Sequence, residues 1–401
     1  AALNMIFDYT KKLDYLVLVH TQGLEVGGHL EFTGEDVYTG WARKMGLIDD
    51  SAQWSQDGHP QIIEISDRHH KMHAACAFYR SGFEDAVALI ADGAGSMLPY
   101  HDQMRGQRSV WEYETIMECS YPAIFKTRYK HVGCADPIFP RWDPKVDGEF
   151  CGEPGNEISI MNDDRGGITK TYEAVTQYLG WQPIEAGKTM GLFPYGIENG
   201  TLPPFFDEWS KMPGSFNRNV FMPNTPNGAF VNTGFYEQFQ TSEEEMEAAK
   251  GDFTKLQVGR DVAFKVQKET QREMIKLIKH AVEMTGKTNV VISGGYALNC
   301  VANYEYLDAL KEEGITIYVE PVSSDAGTAI GGALFQHYAL TNEDTIRDYG
   351  KTLYLGPEYN IDHKKVQDVL PENGVVVDTD DDEVVELLTQ KNIVCVWQGR
   401  S

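Results

Sequence analysis

An α/β fold with a mixed or parallel sheet is predicted from three observations. Short apolar, β-branched runs alternate with stretches of helical periodicity. Two of those runs break at once into glycine-rich turns, as strands of open α/β sheets do where they meet ligands. The chain of 401 residues is also long enough to bury more than one core.

The elements follow in order. Residues 1–9 read as a helix already in progress, and 15–19 as a β-branched strand. A polar, irregular stretch over 20–60 contains a helical patch at 37–45. Residues 62–65 form a second strand, which runs into Asp67-Arg68-His69-His70-Lys71-Met72-His73 and a small-residue helix toward Tyr79. A buried-strand pattern at 86–91 ends in Asp92-Gly93-Ala94-Gly95. Residues 121–155 carry Pro, Trp and Cys with little periodicity and are expected to form an insertion or lid. A helix over 168–179 is stopped by Gly180. Residues 199–230 are too aromatic for a linker and are expected to pack on a core or a ligand.

The longest regular element spans 242–285. Val262, Val266, Met274, Leu277, Ile278, Ala281 and Val282 recur in its second half at helical steps, and Gly286 closes it. A buried strand at 289–293 breaks into Gly294-Gly295, followed by a helix over 297–312, a strand at 315–319 and a small-residue helix over 328–338. Beyond Tyr349 the pattern restarts with a helix at 363–369, a strand at 375–377, a helix at 382–390 and a strand at 393–397. A boundary near residue 350 therefore divides the chain into 1–349 and 350–401.

Composition narrows the function. Lys and Arg number 35 against 60 Asp and Glu, a formal charge of −25. Such a surface repels phosphate backbones, which argues against sequence-independent nucleic-acid binding while leaving room for a local basic pocket. Solubility or a salty habitat accounts for the acidity without a functional field. The 6 cysteines are scattered with no Cys-x-x-Cys pair, against a zinc ribbon or a disulfide framework and in favour of a reduced, cytoplasmic setting. No apolar run is long enough to span a bilayer, and no signal peptide opens the chain. Opening in mid-helix and stopping as a strand enters a turn, the sequence reads as part of a longer protein.

Three groups of residues carry chemistry. His69 and His73 stand four apart, so on a helix both imidazoles can converge on one ion. Two buried, hydrogen-bonded histidines give the same pattern. In a His-Glu-x-x-His protease the residue after the first His is a Glu base; here it is His70, which sets that class aside. His70 is then an acid or base beside the ion, or an exposed side chain without a role. Asp325 lies between a strand and a helix; local sequence favours an N-cap, with a third ligand as the alternative.

The second group is the pair of turns after apolar strands. Gly93, Gly95, Gly294 and Gly295 let backbone N–H groups approach phosphate oxygens, and a helix starting near Ala297 aims its positive end at the same anion. Third, Lys188 in Gly187-Lys188-Thr189-Met190-Gly191-Leu192 can neutralise a phosphate, although the earlier glycine of a P-loop is absent. On local grounds that segment is structural.

Together these stretches resemble the nodulation-type and antibiotic O-carbamoyltransferase family. The likeness is carried by the His69–His73 segment, Asp92-Gly93-Ala94-Gly95, Thr171-Tyr172-Glu173-Ala174-Val175-Thr176-Gln177-Tyr178-Leu179-Gly180, the Lys188 segment, Ser293-Gly294-Gly295-Tyr296-Ala297-Leu298-Asn299-Cys300-Val301-Ala302-Asn303, and Asp325-Ala326-Gly327-Thr328-Ala329. It implies a two-lobed, ribonuclease H-like domain of the actin-like ATPase superfamily, similar to the tRNA threonylcarbamoyltransferase. A C-terminal YrdC-like domain then makes carbamoyl-adenylate from carbamoyl phosphate and ATP. The first domain, holding iron, passes the carbamoyl group to a hydroxyl of a small-molecule acceptor.

Carried onto this chain, the resemblance makes His69, His73 and Asp325 ligands of Fe(II), with Zn or Mn as alternatives and Mg as a further candidate. Asp92, Gly93, Gly95, Gly294, Gly295 and Asn299 hold the adenylate, and Lys188 its phosphate or carbamoyl end. Asp92 and His70 are the catalytic candidates, Asp92 as a general base for the acceptor hydroxyl or as a ribose contact. The family's opening strands have no counterpart before Ala1, and Gly399-Arg400-Ser401 resembles only the first residues of a Gly-Arg-Ser-Glu-Phe-Gly motif. Residues 1–349 are thus expected to be an incomplete actin-like domain and 350–401 the start of a YrdC-like one. Segments 120–155 and 199–235 are expected to shape the acceptor pocket.

Two other classes compete. A small-molecule kinase on the same fold would need Mg²⁺ on carboxylates and water, for which two imidazoles are poor ligands. A non-catalytic nucleotide-binding module would bind adenylate without metal or turnover.

Overall fold

The structure, a computed structural model, describes residues 5–21, 31–52, 61–102, 106–133, 145–146, 149–150, 158–163, 167–206, 221–223, 229–231, 242–354, 356 and 362–396. The chain divides into two compact units, Ala1–Lys351 and Thr352–Ser401.

The first unit opens with strand β1 (Leu16–Leu18), helix α1 (Val37–Lys44) and strand β2 (Ile62–Glu64). Asp36 starts α1 by accepting the N–H groups of Tyr38 and Thr39, the usual task of an N-cap carboxylate. β1 and β2 pair in parallel over a core of Leu18, Ala42, Leu47, Ile48 and Ile62.

Helix α2 (His69–Ser81) is buried along all 13 of its residues, and Gly82 stops it with φ 80°. Strands β3 (Asp85–Ala91), β4 (Met97–Asp102), β5 (Gly106–Ser120), β6 (Ile124–Gly133) and β7 (Ser159–Asp163) follow. Then come helices α3 (Ile168–Tyr178), α4 (Ala186–Leu192) and α5 (Gln257–Thr285), strand β8 (Asn289–Ser293), helix α6 (Cys300–Leu310), strand β9 (Thr316–Val319) and helix α7 (Ala326–Thr341).

Among the described residues the main sheet runs β7–β6–β5–β3–β8–β9, with β4 on β5. β3, β8 and β9 are parallel, while β5 is antiparallel to β3, β6 and β4 alike. The order β6–β5–β3–β8–β9, third-second-first-fourth-fifth with the second strand reversed, is the sheet of the ribonuclease H-like, actin-like ATPase fold.

Alternation along β3 divides the core in two. Val87, Leu89 and Ala91 face α3 and α5, packing with Tyr172, Val175, Val262 and Leu277. Ala86, Ala88 and Ile90 face α2 and α7, packing with Ala74, Ala75, Phe78 and Tyr338. A strand buried on both faces reads as a continuous apolar run, which is why residues 86–91 were recognisable.

Four expectations are corrected. Residues 121–155 were expected to form an insertion or lid, yet 124–133 are the core strand β6. Its buried positions include Lys130 and His131, which pair with Glu112 and Glu114 of β5, so ionised residues disguised a sheet strand. The long helical stretch breaks at Lys250 and Gly251, both at positive φ, separating a short helix Glu243–Ala248 from α5. The helix expected from 297 begins at Cys300, after a 3₁₀ turn Gly295–Leu298.

In the second unit, helices α8 (His363–Val369) and α9 (Asp381–Thr389) are present, but among the described residues no strand forms at 375–377 or 393–396. Val375, Val377, Ile393 and Val396 are exposed and sit in no ladder among the described residues; Trp397 lies outside them. β-branched composition without a partner strand does not make a sheet.

Candidate metal and nucleotide site

One helical turn of α2 puts His69 and His73 on the same face, with their Nε2 atoms 3.2 Å apart. Both are buried. Ser293, the last residue of β8, lies 3.2 Å from His73 Nδ1, so its hydroxyl fixes the ring with Nε2 turned outward. The backbone N–H of His69 donates to Ser96 Oγ at 3.0 Å, and Ser96 Oγ donates in turn to the carbonyl of Ser66.

Asp325 arrives from 252 residues downstream of His73. It occupies the N-cap position of α7 but its side chain makes no cap bond. Its Oδ1 lies 3.5 Å from His69 Nε2 and 3.7 Å from His73 Nε2. Glycine makes that approach feasible: a Cβ on Gly331 would stand 1.9 Å from the carbonyl oxygen of Met72, so α7 rests directly on the backbone of α2.

Asp92 closes β3 and completes the cluster. Its Oδ2 is 3.6 Å from His69 Nε2 and 3.9 Å from His73 Nε2. Its Oδ1 accepts the N–H of Gly295 at 2.9 Å. Gly294 adopts φ 95° with no room for a Cβ, which would meet the Ala91 carbonyl oxygen at 2.4 Å. The two glycine turns therefore interlock, and the second orients the carboxylate of the first. One ligand atom from each of His69, His73, Asp92 and Asp325 lies within 4.8 Å of the others.

Electrostatics without a metal ion follow from this crowding. Burial pushes His69 down, but the Asp325 and Asp92 carboxylates override it and hold the imidazole up at about 9. Burial pushes Asp92 up, and the neighbouring His69 and His73 more than reverse it, leaving the carboxyl well below the usual range. Asp325 is lowered too, by His69 and then His73. His70 is driven well below its ordinary value by burial and by the charge of Lys130, so it is neutral.

The donor set fits a divalent transition metal. Two imidazole nitrogens bound at roughly 2.1 Å and about 90–110° apart are separated by roughly 3.0–3.4 Å, which the 3.2 Å spacing satisfies. Mixed imidazole and carboxylate ligation suits Fe, Zn or Mn rather than Mg²⁺.

Beside the cluster opens a cleft of about 860 Å³, within the range of small-molecule and cofactor sites. Asp92, Gly93, Ala94, Gly295, Asn299 and Asp325 line it. Residues 37–334 match the family described as "Carbamoyltransferase N-terminus". The chain belongs to the carbamoyltransferase family. It is 28% identical over 349 residues to the uncharacterized protein sll1178 of Synechocystis, covering 84% of this chain and 48% of that protein. It is 22% identical over 339 residues to the nodulation protein NolNO of Sinorhizobium fredii, covering 83% of this chain and 40% of that one. The chain thus spans less than half the length of these curated relatives. The crystal structure of full-length HypF in a phosphate- and nucleotide-bound form aligns with 71% of this chain and 44% of its own at 12% identity and a TM-score of 0.38.

Not every residue singled out in this carbamoyltransferase-family sequence faces the cleft. His70 is buried rather than exposed, with Nδ1 2.7 Å from Thr115 Oγ1. Gly95 turns inward: its N–H donates to the Glu112 carbonyl, and a Cβ would meet His70 Nε2 at 2.3 Å. Lys188 is exposed on α4, paired with Glu185 at 2.5 Å and stacked over Trp181, outside the lining. Asn299 does line the cleft, but its side chain is largely committed as the N-cap of α6, accepting from the Ala302 N–H, and in a paired amide contact with buried Gln267. The segments expected to shape an acceptor pocket fall largely outside the described residues beyond Gly133 and Phe206.

Sequence reasoning missed Thr169, Lys170 and Gln267. Thr169 and Lys170 line the cleft from the first turn of α3, and Gln267 ties that helix to Asn299 by accepting the Tyr172 hydroxyl at 2.7 Å. A lysine in the first turn of a helix was the available signal, since it opposes the helix dipole.

Proposed function

We propose that this chain is the carbamoyl-transfer part of an O-carbamoyltransferase. In this reading carbamoyl-adenylate, made from carbamoyl phosphate and ATP by a YrdC-like domain of the whole protein, gives its carbamoyl group to a hydroxyl of a small-molecule acceptor. The observation that carries the proposal is the convergence of His69, His73, Asp92 and Asp325 at the edge of a nucleotide-sized cleft.

His69, His73 and Asp325 would hold Fe(II), or Zn or Mn, with Asp92 as a fourth ligand; when bound, the ion supplies Lewis-acid stabilisation of charge developing on the carbamoyl or adenylate oxygens. Ser293 keeps the His73 ring oriented, and Gly295 keeps Asp92 in place through its N–H. Tyr296 and Leu298 give the cleft an apolar wall for the nucleoside. The acceptor oxygen attacks the carbamoyl carbon and the bond from that carbon to the phosphate oxygen breaks. AMP leaves, and the hydroxyl proton goes to its phosphate. Asp92, with a depressed pKa and both oxygens engaged, serves as a ligand rather than as a strong base.

The test supplies metal-loaded protein with polyol acceptors and either carbamoyl-adenylate or ATP. AMP and a carbamate ester are expected, with loss of both in His69→Ala and His73→Ala. ADP formation from ATP that survives both substitutions would contradict the proposal and favour a kinase.

A further inference from the structure

We infer that the first turn of α3 is an anion subsite, in which Lys170 and Thr169 take the oxygens of a phosphoryl group. The inference rests on the nucleotide reading of the cleft and deepens it. Among the described lining residues Asp92, Glu173 and Asp325 are carboxylates, and Lys170 is the one cation. An anionic ligand entering beside three carboxylates needs a positive partner, and Lys188 faces elsewhere.

The turn is built against local preference. Lys170 sits at the third position of α3, where the helix end is already positive and a cation is disfavoured. No acidic residue occupies that turn and its cap, Gly167, has no side chain to bond the free N–H groups. Glu114 of β5 reaches across to accept the Ile168 N–H at 2.6 Å, fixing the helix start from outside. With the helix end itself met by Glu114, the positive charge that reaches the cleft is that of Lys170.

A second, independent observation is Thr169. It is only 8% exposed and lines the cleft, and its hydroxyl has no hydrogen-bond partner among the described residues. The oxygen is enclosed in the wall of the cleft, a buried donor whose missing acceptor a phosphoryl oxygen pressed against that wall would supply. Lys170 is held ready by Glu173 at 2.7 Å, one turn on, with side chains 16% and 24% exposed. The pair lies over the Asp92 turn: a Cβ on Gly93 would stand 2.6 Å from Glu173 Oε1 and 3.7 Å from Lys170 Nζ. The subsite thus adjoins the carboxylate of the histidine cluster.

The phosphoryl group can belong to the adenylate or to carbamoyl phosphate, and one set of titrations separates them. The metal-loaded full chain is titrated calorimetrically with AMP, adenosine, inorganic phosphate and carbamoyl phosphate. Lys170→Met is expected to weaken AMP about ten- to hundredfold, the worth of one charge-assisted contact, and to leave adenosine unchanged. Thr169→Val is expected to show a smaller loss in the same direction. Lys170→Arg should stay within a few-fold of the parent. Because Lys170→Met strands a carboxylate, the double variant Lys170→Met, Glu173→Gln must keep the defect. A loss confined to carbamoyl phosphate assigns the subsite to that source. Unchanged AMP, phosphate and carbamoyl phosphate affinities in Lys170→Met, or an equal loss for adenosine, overturns the subsite while leaving the carbamoyl-transfer reading intact. Parent protein that binds none of the four probes overturns both.

Discussion

In the metal-free protein His69 holds its proton up to about pH 9, because two carboxylates face it. Its folded pKa lies above the ordinary 6.5, so its contribution to stability is complete below 6.5 and lost as pH rises through about 9. A metal ion must displace that proton. Metal affinity is therefore expected to climb about tenfold per pH unit from 6.5 to 9 and to level off above, with one proton released per ion. Competition titrations with a chelator across that range check it; a pH-independent affinity would show that His69 is not a ligand. The histidine pair was legible because four-residue spacing on a helix is a local property. Asp325 was not. Its neighbourhood is that of an N-cap, and only the packing of α7 turns the carboxylate away from its own helix.

At the scale of elements, close approach does the positioning. Gly331→Val would drive two methyl groups into the Met72 carbonyl and push α7 off α2. Overpacking of this kind costs about 1–3 kcal/mol, and displacing Asp325 should weaken metal binding about ten- to hundredfold. Gly191→Ala, on a helix with open space around it, is the control and should change neither. Thermal midpoints and metal titrations read both effects; Gly331→Val with parent-like metal affinity would contradict the placement. Elements with plain periodicity, such as the strands at 86–91 and 289–293 and helix α5, were readable from sequence. β6 was not, since its Lys130 and His131 are buried only by virtue of Glu112 and Glu114 on β5, a partner strand that local pattern cannot reveal. The strands expected beyond residue 370 differ for the converse reason: the apolar pattern is present, and among the described residues no ladder is.

Across the molecule, three separate connections meet at one point: the start of α2, the end of β3 and the start of α7. The last two are ends of the sheet where open α/β folds place their ligands. The overall charge of −25 makes the local balance in the cleft more telling, because among its described lining residues one lysine is set against three carboxylates. X-ray absorption at the iron edge of the loaded protein tests the convergence most directly. Two imidazoles and oxygen ligands in the first shell are expected, with one imidazole lost in each of His69→Ala and His73→Ala. A first shell of oxygen alone, or one unchanged by both substitutions, would contradict it.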